Sequence, residues 1–178
     1  MKNQRKIILY IAQSLDGYIA RENGDISWIS SVDRCNEDYG YSDFIKTIDT
    51  VLMGRKTYEK ILTFGVEFPH KDKNCYVLSK SRVGADENVQ FINGSIVTLI
   101  SKIKTQQGKD IFLDGGSEVV ELFRVNDLID EYVISIIPIL LGKGIRLFSD
   151  TESESNLRLV KSEVFDSGLV QLRYERLN

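Results

Sequence analysis

Val51-Leu52-Met53-Gly54-Arg55-Lys56-Thr57-Tyr58-Glu59 is the stretch on which the reading of the chain turns. An apolar run of strand length stops at a glycine, and two bases and a hydroxyl follow as a helix-forming segment begins. That order places free backbone N–H groups, cationic side chains and a threonine oxygen at one helix N-terminus, an arrangement suited to phosphate. Ile111-Phe112-Leu113-Asp114-Gly115-Gly116-Ser117 repeats the strand-to-helix design further along. Two such turns point to a phosphate-bearing cofactor lying across the ends of a sheet.

Outward from these turns, residues 7–12 read as a first strand, followed by a polar turn at 14–17. Residues 33–48 carry Tyr41, Phe44, Ile45 and Ile48 at helical spacing, with a start expected near Ser31 or Asp33. Strands are expected at 50–53, 74–78, 89–92, 110–113 and 131–137, and helices at 57–62, 95–105 and 117–125. The segments 157–165 and 169–177 alternate around Asp166-Ser167-Gly168 and read as a hairpin. Strands alternating with helices and closing in a hairpin indicate an α/β fold, its central sheet mostly parallel with an antiparallel edge. Ligands of such sheets sit beyond the carboxyl ends of the strands, where both glycine turns fall.

At 178 residues the chain reads as one domain, spanning 1–178, able to bury roughly 70% of its unfolded surface. A net charge of −3 argues against a general nucleic-acid binder. Cys35 and Cys75 are far apart and support neither a CxxC site nor a disulfide framework. No stretch approaches the roughly 18 apolar residues of a membrane span, and a cytoplasmic protein is the expectation. The single histidine, His70, follows Pro69 in a polar loop and reads as a surface residue. There is no HExxH, Walker A lysine or GxSxG motif, and no cluster with metal-ligand spacing. Hydride transfer needs no protein nucleophile, because the cofactor carries the chemistry and the protein aligns it.

Six segments in order carry a family likeness: Ser14-Leu15-Asp16-Gly17-Tyr18-Ile19-Ala20, Gly24-Asp25-Ile26-Ser27-Trp28-Ile29, Val51 to Tyr58, Leu78-Ser79-Lys80, Leu113-Asp114-Gly115-Gly116, and Pro138-Ile139-Leu140-Leu141-Gly142-Lys143-Gly144. The chain resembles the dihydrofolate-reductase-like superfamily. Within it, the chain is most similar to the C-terminal reductase domain of the bifunctional riboflavin-biosynthesis deaminase–reductase, over nearly its whole length. The resemblance implies a mixed sheet of about eight strands flanked by helices, with NADPH lying across it. It implies that Gly54, Arg55, Lys56 and Thr57 hold the cofactor's phosphates, and that Leu78 and Ser79 flank its adenosine. Gly115 and Gly116 would admit the pyrophosphate, with Ser117 and Glu118 opening the next helix, while Ala12 and Ile19 would contact the nicotinamide.

Asp33 lies five residues after Trp28, the interval at which dihydrofolate reductases place their pterin-binding carboxylate. An aspartate near a helix start also serves as an N-cap. Asp16 is the other catalytic candidate, although Asp-Gly is common in turns for local reasons. Trp28 either lines a substrate pocket or anchors a loop. The riboflavin reductases carry arginine and histidine on the helix that grips a ribose phosphate, whereas residues 33–48 offer Arg34 and Lys46 without a histidine. The deaminase domain and its zinc motif are also missing from this sequence. The expected activity is NADPH-dependent reduction of a pyrimidine- or pterin-like substrate, most like 5-amino-6-(5-phosphoribosylamino)uracil reductase. Dihydrofolate reduction and a catalytically inactive nucleotide-binding module are the alternatives. The apolar 131–137 strand and the run after Pro138 are either buried within the monomer or form a seam between copies, and a homodimer is the expectation.

Overall fold

Alternate residues of the central strands point to opposite faces, and both faces of this sheet are apolar. In the computed structural model, which describes residues 4–149 and 153–177, β1 (Ile7–Ser14) sends Ile7 and Leu9 to one face and Ile8 and Tyr10 to the other. A short β2 (Tyr18–Ala20), a 3₁₀ turn (Ser27–Val32) and α1 (Tyr41–Lys46) lead into β3 (Ile48–Gly54). Then follow α2 (Arg55–Leu62), β4 (Asn74–Leu78), β5 (Gly84–Ala85), β6 (Gln90–Ile92) and α3 (Ile96–Thr105). The chain continues through β7 (Asp110–Gly115), α4 (Ser117–Arg124), β8 (Glu131–Ile137), β9 (Ile145–Arg146), β10 (Leu157–Val164) and β11 (Val170–Arg176).

Nine strands form one sheet in the order β10-β11-β8-β1-β7-β3-β4-β6-β5, and β2 pairs with β9 separately. The six strands from β8 to β6 run parallel, β11 and β10 close one edge antiparallel, and β5 closes the other. The mostly parallel sheet and C-terminal hairpin match the sequence reading, while β2, β5 and β9 are too short to leave a periodic signal.

Ile7, Leu9, Leu52, Ile111 and Leu113 meet α3 and α4 on one face. Ile8, Val51, Met53, Val77 and Phe112 meet α1 and α2 on the other. Leu52 and Leu113 are fully buried, and truncating either to alanine should cost about 2–5 kcal/mol through lost transfer energy and the cavity left. At the amino-end edge of the sheet, Glu131 accepts from Lys6 and Arg173 at 2.5 Å each. Buried Arg5 donates to Thr50 Oγ1 at 2.7 Å and pairs with Asp49. These polar groups satisfy one another across the edge.

One expectation is corrected. The helix read over 33–48 exists only from Tyr41 to Lys46. Asn36, Tyr39 and Gly40 all take positive φ (63°, 56° and 80°), which no right-handed helix accommodates. Asp38, rather than Asp33, serves the helix start, accepting Gly40 N and Ser42 N at 3.0 Å. The apolar residues of β8 belong to the interior of the sheet between β1 and β11. Among the described residues, no helix is long and apolar enough to cross a membrane.

Candidate active site

A cleft of about 1350 Å³ opens across the carboxyl ends of β1, β3, β4, β6 and β7. Its two halves are built differently. In the first, α2 begins directly after β3 and α4 directly after β7, and neither helix has a side-chain N-cap. Their leading turns are thus not closed by a side-chain cap, and they carry the positive end of the helix dipole. The nearby α3 differs: Ser95 caps it by accepting from Thr98 N.

Glycine lets these two turns approach each other. A Cβ at Gly54 would sit 3.0 Å from Val119 Cγ2, and one at Gly116 would sit 3.3 Å from Thr57 Oγ1. Gly115 has φ +110°, a region that favours glycine, and its peptide bond to Gly116 is cis. Lys56 Nζ spans the gap to Glu118 at 2.8 Å, and Arg55 pairs with Glu59 at 2.6 Å within α2. Both pairs are solvent-exposed and worth little, so a phosphate can replace the carboxylates at small cost. At the end of β4, Ser79 Oγ accepts Arg82 N at 2.9 Å, holding the 79–82 turn against the cleft with Lys80.

The second half lies toward α1, on the face that carries Phe112. Asp114 follows Phe112 by two residues and shares its face. It keeps part of its surface open to the cleft, and desolvation by the surrounding protein pushes its carboxyl up to about 6. Tyr10 and Tyr41 stand beside it, their rings 5.7 Å apart and edge to face. The Tyr41 phenol is pushed up by desolvation and then by the Asp114 charge.

His70 also lines this half. It is 3% exposed, packed edge-on against Phe68 and Phe112, and its Nδ1 is buried without a hydrogen-bond partner. Burial lowers its pKa to about 4, so the ring is neutral at physiological pH. The surface reading of His70 is thus corrected: the loop around it is polar, but Phe68 within that loop and Phe112 from β7 pack on the ring.

The residues read as cofactor contacts come together here. Ala12, Ile19, Gly54, Arg55, Lys56, Thr57, Leu78, Ser79, Gly116, Ser117 and Glu118 all line the cleft, whereas Gly115, between Asp114 and Gly116, does not. The residues read as catalytic or substrate-binding lie elsewhere. Asp33 leaves the 3₁₀ turn with ψ 129°, is exposed, and does not line the cleft. Asp16 accepts Leu141 N and Gly142 N at 3.1 and 2.7 Å and receives Ser14 Oγ at 2.6 Å. Burial raises its carboxyl, but these hydrogen bonds outweigh it and leave the pKa below the ordinary value. That geometry staples the 14–17 turn to the loop after Pro138. Trp28 is 4% exposed and packs with Val32, Ile137 and Leu169, so it anchors the loop whose Ile26 and Ile29 face the cleft.

Asp114 is the residue that sequence reasoning passed over. Its signal was present as a carboxylate on the Phe112 side of an otherwise apolar strand, but it was read as part of a turn.

Sheet order and helix placement together define a dihydrofolate-reductase-like fold. The dihydrofolate reductase of Enterococcus faecalis, solved as a complex with NADP(H), shares the fold at TM-score 0.70 and 19% identity, with 98% of each chain covered. Residues 5–171 match the RibD C-terminal domain, and the chain belongs to that family. It is 44% identical to the uncharacterized protein YwjB of Bacillus subtilis (strain 168), over 97% of this chain and 99% of the relative. A crystal structure from Shewanella sp. PV-4, provisionally assigned to riboflavin biosynthesis, superimposes at TM-score 0.90 with 34% identity, covering 97% of this chain and 99% of that one.

Proposed function

We propose that this chain is an NADPH-dependent reductase that transfers hydride to a C=N bond, or an opened ribose imine, of a pyrimidine- or pterin-like substrate. The nearest named reaction is that of 5-amino-6-(5-phosphoribosylamino)uracil reductase. One observation carries the reading: a single cleft holds two uncapped helix N-termini and, beyond them, a desolvated carboxyl.

A bound reduced nicotinamide dinucleotide supplies the hydride. Arg55, Lys56, Thr57 and the first amides of α2 and α4 would hold its phosphates, and Gly116 would leave the backbone open to the pyrophosphate. Arg55, Lys56 and Lys80 gather cationic charge at that end, which favours the dinucleotide bearing an extra phosphate. Ala12 and Ile19, which line the cleft, would exclude water from the nicotinamide end. Asp114 donates a proton to the substrate nitrogen as the adjacent carbon accepts hydride. The products are the reduced C–N bond, oxidised dinucleotide and an Asp114 carboxylate that regains its proton from water. One pH unit above its pKa about a tenth of the carboxyl is still protonated, enough to serve as a general acid near neutrality.

The test is titration with NADPH, followed by energy transfer from Trp28 and by NADPH oxidation with pyrimidine and pterin substrates. Saturable binding with turnover of at least one heterocycle is expected. An absence of binding at millimolar NADPH would sink the reading.

A further inference from the structure

β10 ends the nine-stranded sheet, and among the described residues it pairs with β11 alone. Its free edge is long and apolar for a strand that meets water. Leu157, Leu159 and Val164 are 38%, 51% and 77% exposed, and they share one face of the sheet with Val170 and Tyr174 of β11. An exposed edge of this kind is a template for another strand.

The ladder to β11 determines which peptide groups that edge offers. Leu177 N donates to Asn156 O and Phe165 N to Leu169 O, each at 3.0 Å. Hydrogen-bonded pairs alternate along an antiparallel ladder, so Arg158, Lys161 and Glu163 turn their peptide groups toward β11. Leu157, Leu159, Ser162 and Val164 turn theirs outward. The change from odd to even numbers comes from a bulge: Leu159 faces Tyr174 and Lys161 faces Arg173, with Val160 the extra residue.

That spacing is self-complementary. In one antiparallel two-fold register alone, all four outward residues meet outward residues, Leu157 against the partner's Val164 and Leu159 against the partner's Ser162. In the same register Arg158 stands opposite the partner's Glu163, and the symmetry repeats the pair. Within one chain Arg158 pairs with Glu175 and Lys161 with Glu163, but these exposed pairs are weak and change partners at small cost. A bulge and a lysine often guard an edge. Here the two bulges meet at the axis, so both strands bend alike.

We propose that the outer edge of β10 is an interface with a second copy of the chain, joining two nine-stranded sheets into one. No residue of β10 or β11 lines the cleft, so the inference stands apart from the reductase reading.

Sedimentation velocity of the full chain should show a dimer at about 10 µM, the weak end for an interface of ordinary size. Arg158→Glu and Glu163→Arg each set like charges across the axis and should weaken association at least about ten-fold. Mixed in equal amounts, the two variants again present opposite charges and should recover association to within about two-fold of the wild type. Amide exchange needs no variant and decides the matter if either one fails to fold. In the wild type, the amides of Leu157, Leu159, Ser162 and Val164 should exchange more slowly as concentration rises into the dimer range. A chain that stays monomeric at about ten times that concentration overturns the proposal. So does a dimer of folded variants that ignores the charge reversals or is not recovered by mixing, and so does exchange at those four amides that is independent of concentration.

Discussion

The two halves of the cleft solve opposite electrostatic problems with the same sheet. At the phosphate end, the chain leaves helix N–H groups uncapped and puts exposed, weakly paired cations beside them, so charge is available and solvated until a ligand arrives. At the α1 end, it buries an imidazole and a carboxyl among aromatic rings, so charge is suppressed. The first half attracts anions through surplus donors. The second tunes one proton through desolvation. The contrast teaches that binding strength and proton chemistry are assigned to separate places in one groove.

The variant that should strain this division most is Asp114→Asn. Its kcat should fall by about 100-fold or more, since a positioned general acid contributes on that order, while the NADPH dissociation constant stays within about two-fold. Steady-state kinetics with parallel binding measurements decide it, and near-normal kcat would remove Asp114 from the chemistry. The wild-type rate should decline as pH rises through about 6, where Asp114 loses its proton. Stability follows the same sign. A carboxyl raised above its ordinary 3.8 destabilises the fold fully above about 6 and ceases to do so below 3.8. Asp114→Asn should therefore raise the thermal midpoint at pH 8 and leave it little changed near pH 3.

Gly116→Val tests the phosphate half alone. With the Cβ position already 3.3 Å from Thr57 Oγ1, the branched side chain should obstruct the pyrophosphate and weaken NADPH by about 30-fold, roughly 2 kcal/mol. Unchanged affinity would mean that the dinucleotide does not cross this turn. Arg55→Ala should raise the NADPH dissociation constant by about ten-fold and the NADH constant by less, with the difference shrinking as salt is added. Equal losses for the two cofactors would take Arg55 away from the extra phosphate.

Smaller effects belong outside both halves. Asp16→Ala removes acceptors from two loop amides and should cost about 1–2 kcal/mol of stability, read as a lower denaturant midpoint with cofactor affinity unchanged. Asp33→Asn should alter kcat and stability hardly at all, within about two-fold and about 0.5 kcal/mol, as expected of an exposed site. A large loss of kcat in this variant would return the catalytic carboxylate to the position suggested by its distance from Trp28.

Legibility in the sequence followed the same divide. The phosphate half is made of short contiguous pieces, Gly54 to Thr57 and Gly115 to Glu118, whose strand-to-helix order can be read locally. The helix expected over 33–48 failed because its apolar spacing is real in 41–48 but is preceded by residues at positive φ. Periodicity does not register that break. His70 was misread because burial is set by neighbours that a polar loop does not reveal. Asp114 was in view, but its consequence was not, since the same aspartate in an open turn would be ordinary.

By itself, the sequence determined the alternation of strands and helices, the C-terminal hairpin, and a glycine turn with bases at a helix start. These follow from local periodicity, glycine's conformational freedom and the helix dipole. The tertiary structure alone decided that α1 is short, that Trp28 and Asp16 brace loops, and that Tyr10, Tyr41, His70 and Asp114 share one pocket. Those outcomes depend on desolvation and contact between distant segments, and neither quantity exists until the sheet has assembled.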